Sequence, residues 1–395
     1  TGVAGVGYFV NTSGGVVTAN LPAGTAGDVI AFADYAATWQ TNALTVTPNG
    51  TEKIGGSAFN VILSTEGQSV TLVYVDSTQG WVTTADSTEN VVGSPFLTAT
   101  GGTITTSGNC KIHTFTGPGT FTVSAAAVCA AENIVSYMVV AGGGAGGGAY
   151  GGGGGAGGYR EVKSPLTPYT ASPLDGYATP ANRITVTATS FPITVGGGGA
   201  GVGPGVDGDP DTTYNGSGSV FSTITSAGGG TGRYGNCAPN VGSGGSGGGG
   251  DGGGCGSAGT GNTPPVSPPQ GNNGGSAGGT GTPNYGRAGG GGAGAVGSPG
   301  TGTAGGAGGS GTTSSINATP TTRAGGGGGG IYSGPATGGA GGSGGGGAGS
   351  PGTPQGVTGT TNTGGGGGGS SFVGPSRSGS GNGGSGIVII RYKFQ

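Results

Sequence analysis

Six consecutive glycines occupy residues 325–330, six more occupy 364–369, and five occupy 151–155. A run without side chains has nothing to contribute to a hydrophobic core, and glycine loses more conformational freedom on ordering than any other residue. Such a segment is either unfolded or held together by its own main chain. The glycines are also segregated: of 111 in the chain, 18 precede Gly142 and the other 93 lie from Gly142 onward.

Three physical readings compete for these runs. Collagen needs glycine at every third position with proline-rich sites between, and six glycines in a row break that register. A flexible Gly/Ser linker has no reason to alternate with side-chain-bearing insertions such as 159–195, 204–226 and 312–323, or to end in apolar strands. The third reading is a lattice of polyglycine II rods. Here each rod is an extended threefold helix rising about 3.1 Å per residue, with no internal hydrogen bonds. Every N–H and C=O then points outward and must be paired with a neighbouring rod. Ordering costs about 1–2 kcal/mol per residue and each hydrogen bond contributes about 0.5–1.5 kcal/mol, so nearly every group must be bonded. The lattice is therefore expected to be all-or-none and intolerant of Cβ atoms, with alanines such as Ala145, Ala156 and Ala293 at rod surfaces or ends.

The sequence around this region reads as β structure throughout. Residues 1–93 contain short runs rich in Val, Ile, Thr and aromatics, separated by turns such as Ser13-Gly14-Gly15 and Pro48-Asn49-Gly50. In 69–76, Val70, Leu72 and Tyr74 alternate with Thr71, Val73 and Val75, so both faces are partly apolar and both need cover, from a second sheet or from neighbouring subunits. A 90-residue module buries little surface alone, and oligomerisation would help it. These features predict a β-sandwich-like fibre module over 1–93, a linker over 94–102 and a glycine-rich domain over 103–395. In that domain, strands at 110–141 and 386–394 (GIVIIRYKF) bracket the runs at 142–385 and pin both ends to one sheet. Gly117-Pro118-Gly119 is expected to join 110–116 and 120–124 as a hairpin. The fold class is all-β with a polyglycine II lattice and surface loops.

Charged residues make up only 6% of the chain, for a net charge of −3, and the eleven Lys and Arg are scattered singly. No basic patch for nucleic acid is present, and no apolar stretch approaches a membrane span. No signal peptide opens the chain. Thr1 is not an initiator methionine, so either the N-terminus is processed or an upstream part exists.

Four cysteines form two local pairs, Cys110/Cys129 and Cys237/Cys255, open to reading as loop-stapling disulfides or as plain thiols. Neither pair has C-x-x-C spacing, and the single His113 cannot complete a zinc set. Asp207, Asp209 and Asp211 have the alternation of a calcium loop but lack its downstream glutamate and contain Pro210, which favours a solvated acidic turn. His113 alternates with Ile112 and reads as a structural residue at a strand edge. G-x-S-x-G at 244–248 and 341–345 arises by chance in low-complexity sequence. The sequons at Asn49, Asn215 and Asn317 are likewise products of composition. No catalytic, cofactor or metal site emerges.

The segments KIHTFTGPGTFTV (111–123), YMVVAGGGAGGG (137–148), GGGGGAGGYRE (151–161), ITVGGGGAG (193–201), RAGGGGGG (323–330) and GGSGIVIIRY (383–392) resemble the glycine-rich domain of bacteriophage tail-fibre and adhesin proteins. The architecture is similar to tip adhesins of T-even-type phages, where polyglycine II motifs carry variable receptor-binding loops. GDVIAFADYAATWQTNALTV (27–46) and VTLVYVDSTQGW (70–81) resemble β modules of marine-phage tail fibres.

The resemblance implies a non-enzymatic, extracellular protein of the virion surface, homotrimeric, bound to other virion fibre or capsid proteins and to a host-surface glycan or outer-membrane protein. Receptor contact is then expected from loops at one end of the rods, with Tyr169, Tyr177, Tyr214, Tyr234, Tyr285 and Tyr332 as candidates. An aromatic face with a polar tip suits such contacts. The plainer role for each ring is to cover the lattice and shield its bonds. Rival readings are a capsid or tail decoration fibre without a receptor role, a bacterial matrix filament, and an ice-binding protein.

Overall fold

The computed structural model describes residues 1–87, 96–127, 129–205, 214–235, 241–250, 257–276, 286–332, 336–374 and 376–395. The chain divides into two compact units, Thr1–Pro95 with Ala127–Cys129, and Phe96–Ala126 with Ala130–Gln395.

The first unit contains β1 (Gly7–Val10), β2 (Val17–Asn20), β3 (Val29–Asp34), β4 (Leu44–Thr47), β5 (Val61–Leu63), β6 (Ser69–Asp76) and β7 (Gly80–Asp86). They form a four-stranded sheet in the order β1-β3-β6-β7 and a three-stranded sheet in the order β2-β4-β5. The pairs β1/β3 and β2/β4 run parallel. Alternation assigns the faces. Ile30, Phe32, Val70, Leu72 and Tyr74 enter one core with Leu44, Val46, Leu63, Trp39 and Trp81. Gly80 has φ +68°, and a Cβ there would lie 1.9 Å from the carbonyl oxygen of Lys53, so only glycine lets the β6–β7 turn pass this close.

The second unit opens with β8 (Thr98–Thr100), which lies inside the segment expected to be a linker, followed by β9 (Thr103–Ser107), β10 (Cys110–Phe115) and β11 (Gly119–Ala125). The expected hairpin across Gly117–Gly119 does not form. Both edges of β10 are taken, by β9 and by the C-terminal strand, while β11 pairs with β8 and with a strand at Ser190–Thr194. The turn therefore carries the chain from one sheet to another, and the hairpin is instead β9–β10, closed at Gly108 with φ +55°.

Further along are β12 (Ile134–Val140), β13 (Tyr159–Val162), β14 (Ile184–Thr185), β15 (Ser190–Thr194), β16 (Ser219–Phe221), β17 (Ile224–Ser226), the hairpin strands β18 (Thr312–Ser314) and β19 (Thr321–Arg323), the short β20 (Phe372–Val373) and β21 (Ser376–Arg377), and β22 (Ile387–Lys393). One sheet has the order β13-β12-β22-β10-β9 and another β17-β16-β15-β11-β8. The strands that bracket the glycine region are direct antiparallel neighbours, with Val140 opposite Ile387 and Ser136 opposite Arg391.

Both faces of the β12–β22 pair are covered, which accounts for their unbroken apolar sequences. On one side Tyr137 meets Phe221 and Tyr392 meets Phe121, at ring-centroid distances of 5.9 and 6.2 Å. On the other, Met138, Val140, Ile387 and Ile389 pack with Ala156, Ala293, Ala324, Ile316 and Tyr159. His113 belongs to this interior and not to a strand edge. It is fully buried between Phe121 and Tyr392, and its imidazole bonds the Gly101 carbonyl (2.7 Å) and the Tyr392 hydroxyl (3.2 Å). Burial pushes its pKa below the ordinary value.

The glycine runs form rods knitted laterally with a period of three, the repeat of the polyglycine II helix. In the rod at 151–158, Gly152, Gly155 and Gly158 donate to the carbonyls of Arg233, Gly230 and Ala227 (2.8–2.9 Å). Gly153 and Ala156 donate to Ala288 and Gly291, both at 2.9 Å. Gly154 and Gly157 donate to Gly367 and Gly364, at 2.8 and 2.9 Å. Its carbonyls accept from three further segments: Gly158, Gly155 and Gly152 from Ala141, Gly144 and Gly147, Gly153 and Ala156 from Gly249 and Ser246, and Gly151 and Gly154 from Gly330 and Gly327. Six neighbours around one rod is hexagonal packing of bare main chain.

Side chains are excluded by contact rather than by conformation. A Cβ added to Gly152, Gly153, Gly154 or Gly155 would lie 2.0–2.3 Å from a carbonyl oxygen of an adjacent rod. The alanines expected at rod surfaces or ends are buried: Ala156 and Ala293, with Ala324, sit where rods meet the apolar sheet, and Ala145 lies buried within the rod at 141–148, whereas Ala200 and Ala340 are exposed.

Candidate functional site

Rods and sheets together give the second unit two distinct ends. β12 feeds directly into the rod at 141–148, and the rod at 151–158 returns directly into β13. Eight residues at about 3.1 Å each set the far end roughly 25 Å from the sheet. The reversal happens at Ala149 and Tyr150, with φ of +49° and +59°, a conformation that glycine adopts freely and other residues pay to adopt.

Tyr150 sits at the centre of an aromatic cap on this far end. Its ring is edge-on to Tyr332 (4.9 Å) and Phe372 (5.9 Å), and Tyr332 and Phe372 stack at 5.6 Å with 27° between planes. Ala149, Val202, Tyr234 and the half-buried Tyr214 complete the cluster. The rings lie directly on glycine: a Cβ on Gly148 would meet the Tyr234 ring at 2.6 Å, and one on Gly235 the Tyr150 ring at 2.1 Å. Tyr150 and Tyr234 thus seal rod ends, while Tyr332, Phe372 and Tyr214 are partly buried and keep some exposed surface.

Arginines support the cap. The Arg287 guanidinium lies 4.9 Å from the Tyr150 ring centre and that of Arg377 lies 5.7 Å from Phe372, both within cation–π range. Burial pushes the Arg287 pKa down to about 10, against the opposing influence of Tyr150 and Tyr332.

The tyrosines singled out from sequence do not share one end. Tyr214, Tyr234 and Tyr332 converge in the cap. Tyr169 and Tyr177 lie at the sheet end, in the loop after β13. Tyr169 packs against the core there, flanked by Lys163 (5.7 Å) and Arg391 (5.4 Å), and burial drives its pKa well up. Tyr177 is covered by the Arg183 guanidinium at 4.4 Å. Glu161 ties this end together by accepting from the Tyr159 hydroxyl (2.8 Å), the Ser314 hydroxyl (2.6 Å) and the Ser172 amide (3.0 Å).

Tyr285, Asp207, Asp209, Asp211, Cys237 and Cys255 lie outside the described residues. Cys110 and Cys129 are free thiols, the first buried and the second exposed. Among the described residues, no group of three or more His, Cys, Asp or Glu is placed to hold a metal, and no helix is long and apolar enough to cross a membrane.

Two cap residues were not among the sequence candidates, Tyr150 and Phe372. Both carried a signal. Tyr150 is the one large side chain between two glycine runs and so marks the reversal, and Phe372 follows a six-glycine run by two serines.

Comparison with known families gives two matches. A profile described as bacteriophage T4 gp9/10-like protein, N-terminal, matches residues 1–113. One described as glycine-rich domain matches residues 114–393, more than half the chain. The boundary between them falls within β10, not at the division between the compact units. No curated protein matches the chain. The all-β architecture and the two matches support a virion-associated structural fibre protein of phage type, and the chain belongs to the glycine-rich domain family.

Proposed function

We propose that this protein is a non-enzymatic fibre of the virion surface whose far lattice end recognises the host cell. The observation that carries the reading is the aromatic cap. The rod lattice, rigid through main-chain bonds, brings Tyr214, Tyr332 and Phe372 together, partly exposed, at a single end. Half-buried aromatic rings backed by arginine suit a glycan or an outer-membrane protein loop, because they offer apolar area with little conformational entropy left to lose. The protein acts as a homotrimer, with the remaining virion components as its other partners.

Binding of the purified full-length protein to host cells tests the reading. Replacing Tyr332 and Phe372 together by Ala is expected to weaken adsorption at least about tenfold, since aromatic anchors dominate recognition energetics. Thermal unfolding is measured in parallel, to separate loss of the ligand from loss of the fold. Undiminished adsorption by a folded double variant refutes the cap as the recognition surface.

A further inference from the structure

The cap ring of Phe372 stands on a very short strand pair. β20 and β21 share only two residue pairs, Phe372 with Arg377 and Val373 with Ser376. A hairpin this small is not stable by itself in water, and ordering it costs conformational entropy at every residue. It nevertheless holds Phe372 against Tyr332 and Tyr150, with the Arg377 guanidinium 5.7 Å from the Phe372 ring centre. The fixing has to come from outside the hairpin.

Its base supplies it. Ser371 and Ser378 flank the hairpin, and Ser350 comes from a neighbouring segment, where its amide donates to the Gly369 carbonyl at 2.9 Å. All three serines are buried. The Ser371 amide donates to the Ser378 hydroxyl (2.7 Å), and the Ser378 amide donates to the Ser371 carbonyl (3.0 Å). The three hydroxyl oxygens lie 2.6–3.2 Å from one another. Each hydroxyl has one proton to give. Ser371 donates to the Gly352 carbonyl, Ser350 to the Pro354 carbonyl and Ser378 to the Ser350 hydroxyl, which places all three protons.

We infer that Ser350, Ser371 and Ser378 are positioning residues for recognition: together they form a clasp that sets where Phe372 and Arg377 stand in the cap. The inference rests on the reading of the cap given above. Serine suits the task because its hydroxyl is carried one carbon from the main chain, so little side-chain freedom is lost on ordering. It also fits where segments run close: a Cβ on Gly379, next to Ser378, would lie 2.4 Å from the Gln355 side chain and 2.7 Å from the Val202 carbonyl oxygen. Removing one hydroxyl leaves its buried partners unmatched, which corresponds to roughly a five- to hundredfold change in the opening equilibrium of the hairpin.

The test compares Ser371→Ala and Ser350→Ala, which reach the clasp from separate segments, with Ser370→Ala. Ser370 is equally buried and adjacent, but its hydroxyl accepts from the Gly151 amide (3.4 Å) and takes no part in the clasp. Exchange of the Phe372 and Ser378 amides, which donate to the Ile331 and Ser371 carbonyls, reports the hairpin, and exchange of the Gly154 amide reports the lattice. Binding of the purified full-length protein to host cells reports recognition. The expected result is exchange at Phe372 and Ser378 at least about fivefold faster in S371A and S350A. Gly154 exchange stays unchanged and cell binding weakens in both, while S370A shows neither effect. Unchanged hairpin exchange in both clasp variants, or equal acceleration in S370A, overturns the clasp whatever the binding result. If the hairpin loosens and binding is undiminished, the double alanine variant of Tyr332 and Phe372 decides. Poor binding by that variant overturns the role of the clasp alone, and normal binding overturns the cap reading with it.

Discussion

Gly154→Ala isolates the claim that main-chain contact replaces a hydrophobic core in the lattice. The Cβ would lie 2.2 Å from the Gly144 carbonyl oxygen and 2.6 Å from that of Ala145. Ordinary contact begins at 3.4 Å, so the rods at 141–148 and 151–158 must separate by about 1.2 Å at this level. Three hydrogen bonds span that seam, from Ala141, Gly144 and Gly147 to Gly158, Gly155 and Gly152. Each is buried, and a buried group left unpaired costs about 1–3 kcal/mol. Losing the seam therefore costs roughly 3–9 kcal/mol, against about 0.4–1 kcal/mol gained from restricting the unfolded chain. The net loss is comparable to the total stability of a typical domain. Gly197→Ala is the matched control, since a Cβ there meets nothing within 4 Å; it should be neutral or stabilise by up to about 1 kcal/mol. Denaturant unfolding reports both, and exchange of the Ala141, Gly144 and Gly147 amides, the donors across the seam, reports the seam itself. If G154A and G197A unfold within about 1 kcal/mol of each other, tight main-chain packing is not what holds this unit.

Two predictions concern pH. Burial holds the Tyr392 phenol pKa up at about 12 and raises those of Tyr137, Tyr159 and Tyr169 as well. Between pH 10 and 12 the unfolded chain releases phenolic protons that the folded chain keeps, so stability is complete below pH 10 and falls as pH rises toward 12. The part of the tyrosinate absorbance that belongs to these four buried phenols, isolated by Tyr→Phe replacement, should therefore appear in step with unfolding and not ahead of it. For His113, burial holds the pKa below 6.5, so the unfolded chain binds the proton first. Its contribution is present above pH 6.5 and is lost as pH falls through the folded value; His113→Gln should flatten stability across that window, and an unchanged slope would remove His113 as its cause.

Much of the β structure was legible because alternation is a local property. Val70, Leu72 and Tyr74 against Thr71, Val73 and Val75 specify the faces of β6 without reference to any partner. The apolar runs of β12 and β22 likewise marked the two strands that bracket the glycine region and share one sheet. The hairpin at Gly117–Gly119 was misread because turn chemistry describes how a chain can bend, while strand pairing depends on which edges are already occupied. His113 was misplaced for a related reason: its spacing gives a face, but only the pairing of β9 and β22 on either side of β10 makes that position interior.

Within the lattice the division is sharper. Runs of glycine flanked by apolar strands already required that main chain be paired with main chain, since no other group in those segments could repay their ordering. Which rods are neighbours is another matter. A glycine run has no side-chain pattern to distinguish one register or partner from another, so nothing within 151–158 selects 227–233, 288–291 and 364–367 as its acceptors. Those choices come from the features at the rod ends: the sheet formed by β12 and β22, Glu161 clasping the sheet-end loops, and the rings of Tyr150, Tyr234, Tyr332 and Phe372 closing the other side. Information carried by side chains scattered along the sequence acts on the bare rods only once the fold has gathered those side chains at two ends.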